Sequence, residues 1–107
     1  MRTCFINTPQ RAGFKLPSLF TVSGYKVYFW SDKGNEPIHV HVSKGKPSPD
    51  ATKLWLTSGG GCIVASNGSK IPPSELNKLA EFIRAQFFFI CDAWKQFFVT
   101  REIKFYC

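Results

Sequence analysis

His39 and His41 are the two histidines of the chain, and they lie two apart in Asn35-Glu36-Pro37-Ile38-His39-Val40-His41-Val42. The valines alternating with them mark a strand, and a strand sends residues i and i+2 to one face. Both imidazoles therefore share a face, while Val40 and Val42 point to the other, the core side. Glu36 stands at the mouth of this strand, and Lys44, Lys46 and Lys53 come after it. Three uses of the arrangement compete. In the plainest, the rings are surface or half-buried strand residues that satisfy local hydrogen bonds. In the second, His39 and His41 converge on a divalent metal, with Glu36 or Asp32 as third ligand. In the third, the imidazoles are general acid and base on a phosphodiester, and a lysine steadies the phosphate. Histidine titrates close to neutral pH, which suits both proton-transfer roles.

The charge balance bears on the substrate. Fourteen Lys and Arg stand against seven Asp and Glu, a net charge of +7 in 107 residues. Such a balance favours an acidic partner: nucleic acid, an acidic protein or an anionic surface. The basic residues gather in three places. Arg2, Arg11 and Lys15 lie near the N-terminus, Arg101 and Lys104 near the C-terminus, and Lys44, Lys46 and Lys53 beside the histidines. Only the third group adjoins residues able to do chemistry.

Patterning gives the elements that must position these groups. Apolar residues make up 44% and aromatics 16%, enough for one folded core and against intrinsic disorder. Residues 1–16 read as a basic N-terminal extension, 17–98 as a single domain, and 99–107 as a tail or short strand. Leu19 to Trp30 reads as strand, interrupted early by a tight turn or bulge at Ser23-Gly24. Residues 31–35 form a turn, Ile38 to Ser43 the histidine strand, and residues 44–50 a basic, proline-rich loop. Thr52 to Thr57 is a further strand, and Cys62 to Ala65 a short fourth one. From Pro73 the period changes: Leu76, Ala80, Ile83, Phe87, Ile90, Trp94 and Phe97 make the apolar stripe of one helix reaching about residue 98. Phe88 and Phe89 leave the stripe and require a kink or a second buried contact. The expected fold is α+β, a small antiparallel sheet of three to four strands packed against a long C-terminal amphipathic helix.

Tyr28, Trp30 and Trp55 fall on one sheet face with Lys26 and Lys53. Left open, such a face would stack single-stranded nucleic acid. The simpler expectation is that the helix covers it. Other functions are excluded more firmly. No run approaches the roughly 20 apolar residues of a membrane span, and no apolar stretch comes after Arg2 as a secretory signal requires. Cys4, Cys62, Cys91 and Cys107 form no Cys-x-x-Cys pair, so they read as scattered thiols in a reducing cytoplasm. Gly59-Gly60-Gly61 lacks the Lys-Ser or Lys-Thr of a phosphate loop.

Gly24-Tyr25-Lys26-Val27-Tyr28-Phe29-Trp30-Ser31, the Glu36-Pro37-x-His39-Val40-His41-Val42 string and Lys53-Leu54-Trp55-Leu56 together resemble the small bacterial proteins grouped as domain of unknown function 4160. The likeness continues through Asn67-Gly68, Glu75-Leu76 and Trp94, and covers about residues 17–98. The family usually carries a second proline where this chain has Ile38. The resemblance implies a cytoplasmic bacterial protein without an established activity, often encoded beside another short protein. That neighbourhood implies a toxin–antitoxin-like pair, with RNA as target and an acidic protein as neutralising partner. On this reading the protein is a metal-independent ribonuclease that needs no cofactor. His39 and His41 would be acid and base, Glu36 would orient an imidazole, and Lys44, Lys46 and Lys53 would hold the phosphate. The alternative is a non-catalytic module that binds nucleic acid or protein through its basic sheet and loop. Either could be a homodimer, and neither involves a membrane.

Overall fold

The computed structural model describes residues 18–30, 35–48 and 50–107. The N-terminal extension with Cys4, the turn residues 31–34 with Asp32, and Pro49 lie outside the described residues. Five strands precede two helices: β1 (Ser18–Val22), β2 (Tyr25–Tyr28), β3 (His39–Lys44), β4 (Thr52–Leu56), β5 (Cys62–Ser66), α1 (Pro73–Ala85) and α2 (Phe87–Phe97). The strands form one antiparallel meander in the order β1-β2-β3-β4-β5. The α+β class stands as expected, with two corrections.

The sheet has five strands rather than three to four. Ser23 and Gly24 do not bulge a single strand but reverse the chain, with Val22 facing Tyr25. Both take positive φ, 51° and 84°, as the two central residues of a tight hairpin of matching twist require. The long helix is two helices, broken at Gln86, whose φ and ψ are −102° and 18°. The Gln86 N–H donates to the Phe82 and Ile83 carbonyls and closes α1, and the Ile90 N–H donates to the Gln86 carbonyl and opens α2. A straight helix over residues 73–97 would run about 37 Å, against a sheet about 20 Å across. Bending at Gln86 keeps both halves of the stripe on the sheet.

The core forms between the valine face of the sheet and the helices. Val27, Phe29, Ile38, Val40, Val42, Leu54 and Leu56 pack with Leu79, Ile83, Phe87, Ile90, Cys91 and Trp94. The helices thus cover the valine face and, apart from Trp94 of α2 where it meets His39, not the Tyr28–Trp30–Trp55 face, which corrects the simpler expectation. Alternation alone requires this, since those aromatics fall on the opposite parity from Val27, Val40 and Leu54. α1 starts at Pro73, where a missing N–H costs nothing. The Tyr25 hydroxyl donates to Glu75 and ties that first turn to β2. This bond, with desolvation and the carboxylate charge, holds the Tyr25 phenol above its ordinary pKa.

The last residues are an ordered tail rather than a strand. The Ile38 N–H donates to the Lys104 carbonyl and the Ser58 N–H to that of Cys107, so the tail crosses the end of β3 and β4. Phe105 stacks on Phe87 on the helix side, and Tyr106 stacks on Trp55 at an interplanar angle of 2°.

Burial raises the pKa of the Cys62 and Cys91 thiols, and the thiolate is the reactive form. Among the described cysteines, alkylation at pH 7.5 (near-neutral conditions) is expected to label exposed Cys107 first and Cys62 and Cys91 far more slowly. Peptide mapping over time checks this; equal rates for Cys62 and Cys107 would refute it.

Candidate functional site

β3 carries the histidines side by side, with ring centroids 5.1 Å apart. Its register sets His39 opposite Trp55 and His41 between Tyr28 and Lys53. Both rings are closed off from solvent, at 0% and 1% relative exposure. Aromatic rings supply much of that cover. Tyr28 stacks on His41 at 5.8 Å, while Trp55 and Trp94 meet His39 edgewise at 5.4 and 5.5 Å. The expectation of surface or half-buried rings is corrected: chain far away in sequence, Trp94 above all, closes over His39.

Pro37 fixes the state of His39. Its carbonyl lies 2.8 Å from His39 Nδ1. A carbonyl can only accept, so Nδ1 carries a proton and donates. Any role as base or ligand then falls to Nε2. Ser43 continues the buried row, its hydroxyl without a hydrogen-bond partner among the described residues.

Glu36 reaches Lys53, Oε1 to Nζ at 2.5 Å, with the two side chains 33% and 20% exposed. The Lys53 ammonium also lies 4.2 Å from the centroid of the Trp55 ring. His39, His41 and Lys53 thus share one face, and Glu36 is joined to them through Lys53. Lys44 and Lys46 are not. Lys44 has the parity of Val40 and Val42, and its ammonium lies over Tyr25, 5.7 Å from the ring centroid. It faces away from the histidines, about 17 Å along the strand from His39. Lys46 lies beyond it in the loop. The expected lysine cluster is therefore divided, one cation beside the histidines and two at the far end of the sheet.

That far end is braced by polar contacts which sequence patterning did not single out. Tyr28 Oη accepts from the Ser48 N–H and donates to the Ser48 carbonyl, both at 2.9 Å, and so holds the β3–β4 loop. The Thr52 hydroxyl donates to Asn67 Oδ1, and the Asn67 amide donates to the Ile71 carbonyl. The Ser69 hydroxyl donates to the Val42 carbonyl. A Cβ at Gly68 would lie 1.8 Å from the Asp50 carbonyl oxygen, so only glycine fits there. These contacts set Lys70, exposed like Lys44 and Lys46, at the same end of the sheet. Asp50 and Glu75 are its acidic neighbours. Among the described residues, the one ion pair between side chains is that of Lys53 with Glu36. The missed lysine had a signal, since the Asn67-Gly68 turn carries the next three residues back to the loop after β3.

Among the described residues, the two aromatics of this face nearest the histidines are covered, although Tyr106 itself is 59% exposed. Tyr28 is 1% exposed, and the ring of Tyr106 occupies the face of Trp55 with centroids 5.0 Å apart. Among the described residues, no three His, Cys, Asp or Glu are grouped to hold a metal, and no helix is long and apolar enough to cross a membrane.

A small five-stranded meander with its helices on one face, and a Glu-Pro-x-His-Val-His-Val string along the central strand, defines a compact α+β class of domain. The family described as Domain of unknown function (DUF4160) matches residues 24–95. The chain belongs to that family. No curated protein and no solved structure matches it.

Proposed function

We propose that this protein binds RNA without cutting it, through the lysine-bearing end of the sheet. One observation supports the reading above others. The imidazoles expected to do chemistry are buried, at 0% and 1% exposure, while Lys44, Lys46 and Lys70 are exposed. A phosphate group can reach those ammonium groups without any rearrangement. Lysines acting as point charges bind the backbone irrespective of sequence, and the affinity comes from counterion release. The same proposal includes a cytoplasmic bacterial setting and, as in a toxin–antitoxin-type module, an acidic protein encoded nearby that competes for these lysines.

Fluorescence anisotropy with a short single-stranded RNA tests it. Affinity is expected to fall linearly with salt on logarithmic axes. Lys44→Ala and Lys46→Ala are each expected to reduce the slope by about 0.7 per lost phosphate contact. A flat salt response, or slopes unchanged in both variants, would remove the RNA reading.

A catalytic reading retains one favourable observation. His41 lies directly across from Lys53, which is paired with Glu36, so an acid, a base and a cation share one face. It requires an opening that exposes the rings. Growth arrest on expression in a bacterial host, relieved by a folded His41→Ala variant, would support a toxin-like ribonuclease; absence of RNA cleavage would end it.

A further inference from the structure

The outer ridge of α1 and α2 carries two exposed phenylalanines next to each other in the chain. Phe88 is 80% exposed and Phe89 54%. Phe89 extends into a cluster with Phe20, whose ring meets Phe82 at 4.9 Å and Phe89 at 5.3 Å. Contiguous exposed aromatics on a small domain mark an interaction surface. The residues around Phe88 say which partner fits. Glu81, Arg84, Asp92 and Lys95 are all exposed. They stand seven and four residues before Phe88, and four and seven after it. Within each helix those spacings keep to one face, and burial of Leu79, Ile83, Phe87, Ile90 and Trp94 turns the same outer side of both helices away from the core.

Outward from Phe88 the signs are opposite on the two sides: basic then acidic toward the N-terminus, acidic then basic toward the C-terminus. We propose that this ridge binds a second copy of the same chain, antiparallel, about a two-fold axis at Phe88. Arg84 then faces Asp92 of the second copy, and Glu81 faces Lys95 of the second copy. The symmetry makes each pair twice, as an isologous interface requires. A parallel arrangement would set Glu81 against Glu81 and Arg84 against Arg84, so the charges select the orientation. The ridge from Glu81 to Lys95 runs about 21 Å. Exposed Ala85, one turn from Phe88, lets the backbones approach. The phenylalanines drive the contact, and the rim charges set its register. Each copy carries +7, so the general repulsion is screened as salt rises while the apolar contact persists.

Sedimentation velocity on the full chain, in reductant and physiological salt across the micromolar range, tests this. The expected result is a dimer that Phe88→Asp converts to monomer, with the circular dichroism spectrum unchanged because Phe88 makes little of the core. Arg84→Asp is expected to weaken dimerisation about tenfold or more by facing Asp92 with a like charge. The double variant Arg84→Asp, Asp92→Arg exchanges the two signs and is expected to restore it. A monomer at every concentration would overturn the proposal. So would a dimer indifferent to Phe88→Asp, or a double variant no tighter than the single one.

Discussion

Trp94→Ala is expected to destabilise the fold by about 3–5 kcal/mol, the cost of emptying a packed aromatic site. Trp94 is 2% exposed and joins three parts of the molecule. Its ring meets Phe29 edgewise at 5.1 Å, Phe98 at 4.3 Å and His39 at 5.5 Å. Truncation removes the contact of α2 with the end of β2 and uncovers an imidazole at the same time. The stability of a domain this size is about 5–15 kcal/mol, so the variant stands at the margin of folding. Urea unfolding measures the loss as a lower midpoint at similar slope. Trp94→Phe, which keeps an aromatic ring in the site, is expected to recover about half of it. A change below about 1 kcal/mol for Trp94→Ala would mean that the ring is not a bridge between the helix and the histidine strand.

The second large effect concerns His39. His39→Ala removes a fully buried ring, its hydrogen bond to the Pro37 carbonyl, and edge contacts with His41, Trp55 and Trp94. The expected cost is about 2–4 kcal/mol. The informative comparison is with RNA. The lysines proposed to contact phosphate are on another part of the sheet, so the folded variant is expected to bind with unchanged affinity and salt slope. A variant that keeps its stability but loses an activity toward RNA would assign His39 to chemistry. Loss of stability with binding retained assigns it to the fold. The two measurements separate outcomes that a simple loss-of-function assay would merge.

Much of this architecture comes from one-dimensional pattern. Period-two alternation in residues 38–43 places both histidines on one face and the valines in the core. Ile83, Phe87, Ile90 and Trp94 are buried along the predicted stripe. The same parity separates Lys44 from the histidines, although closeness in sequence groups it with them. Neighbours along a strand point apart, so proximity in the chain was the wrong measure. Ser23-Gly24 was ambiguous for another reason. A turn and a bulge need similar residues, and only strand pairing on both sides distinguishes them.

The sequence by itself determined the α+β class, the shared face of His39 and His41, the helical stripe and the basic balance, because these depend on residue type and on local periods of 2 and 3.6. Tertiary structure alone decided whether the histidines meet solvent and where the charge is usable. Burial of His39 depends on Trp94, and the cover on Trp55 depends on Tyr106, residues about fifty positions away. The position of Lys70 depends on how the Asn67-Gly68 turn packs against Asp50. Contacts between distant segments leave no local period to read, and they arise only when the core has formed.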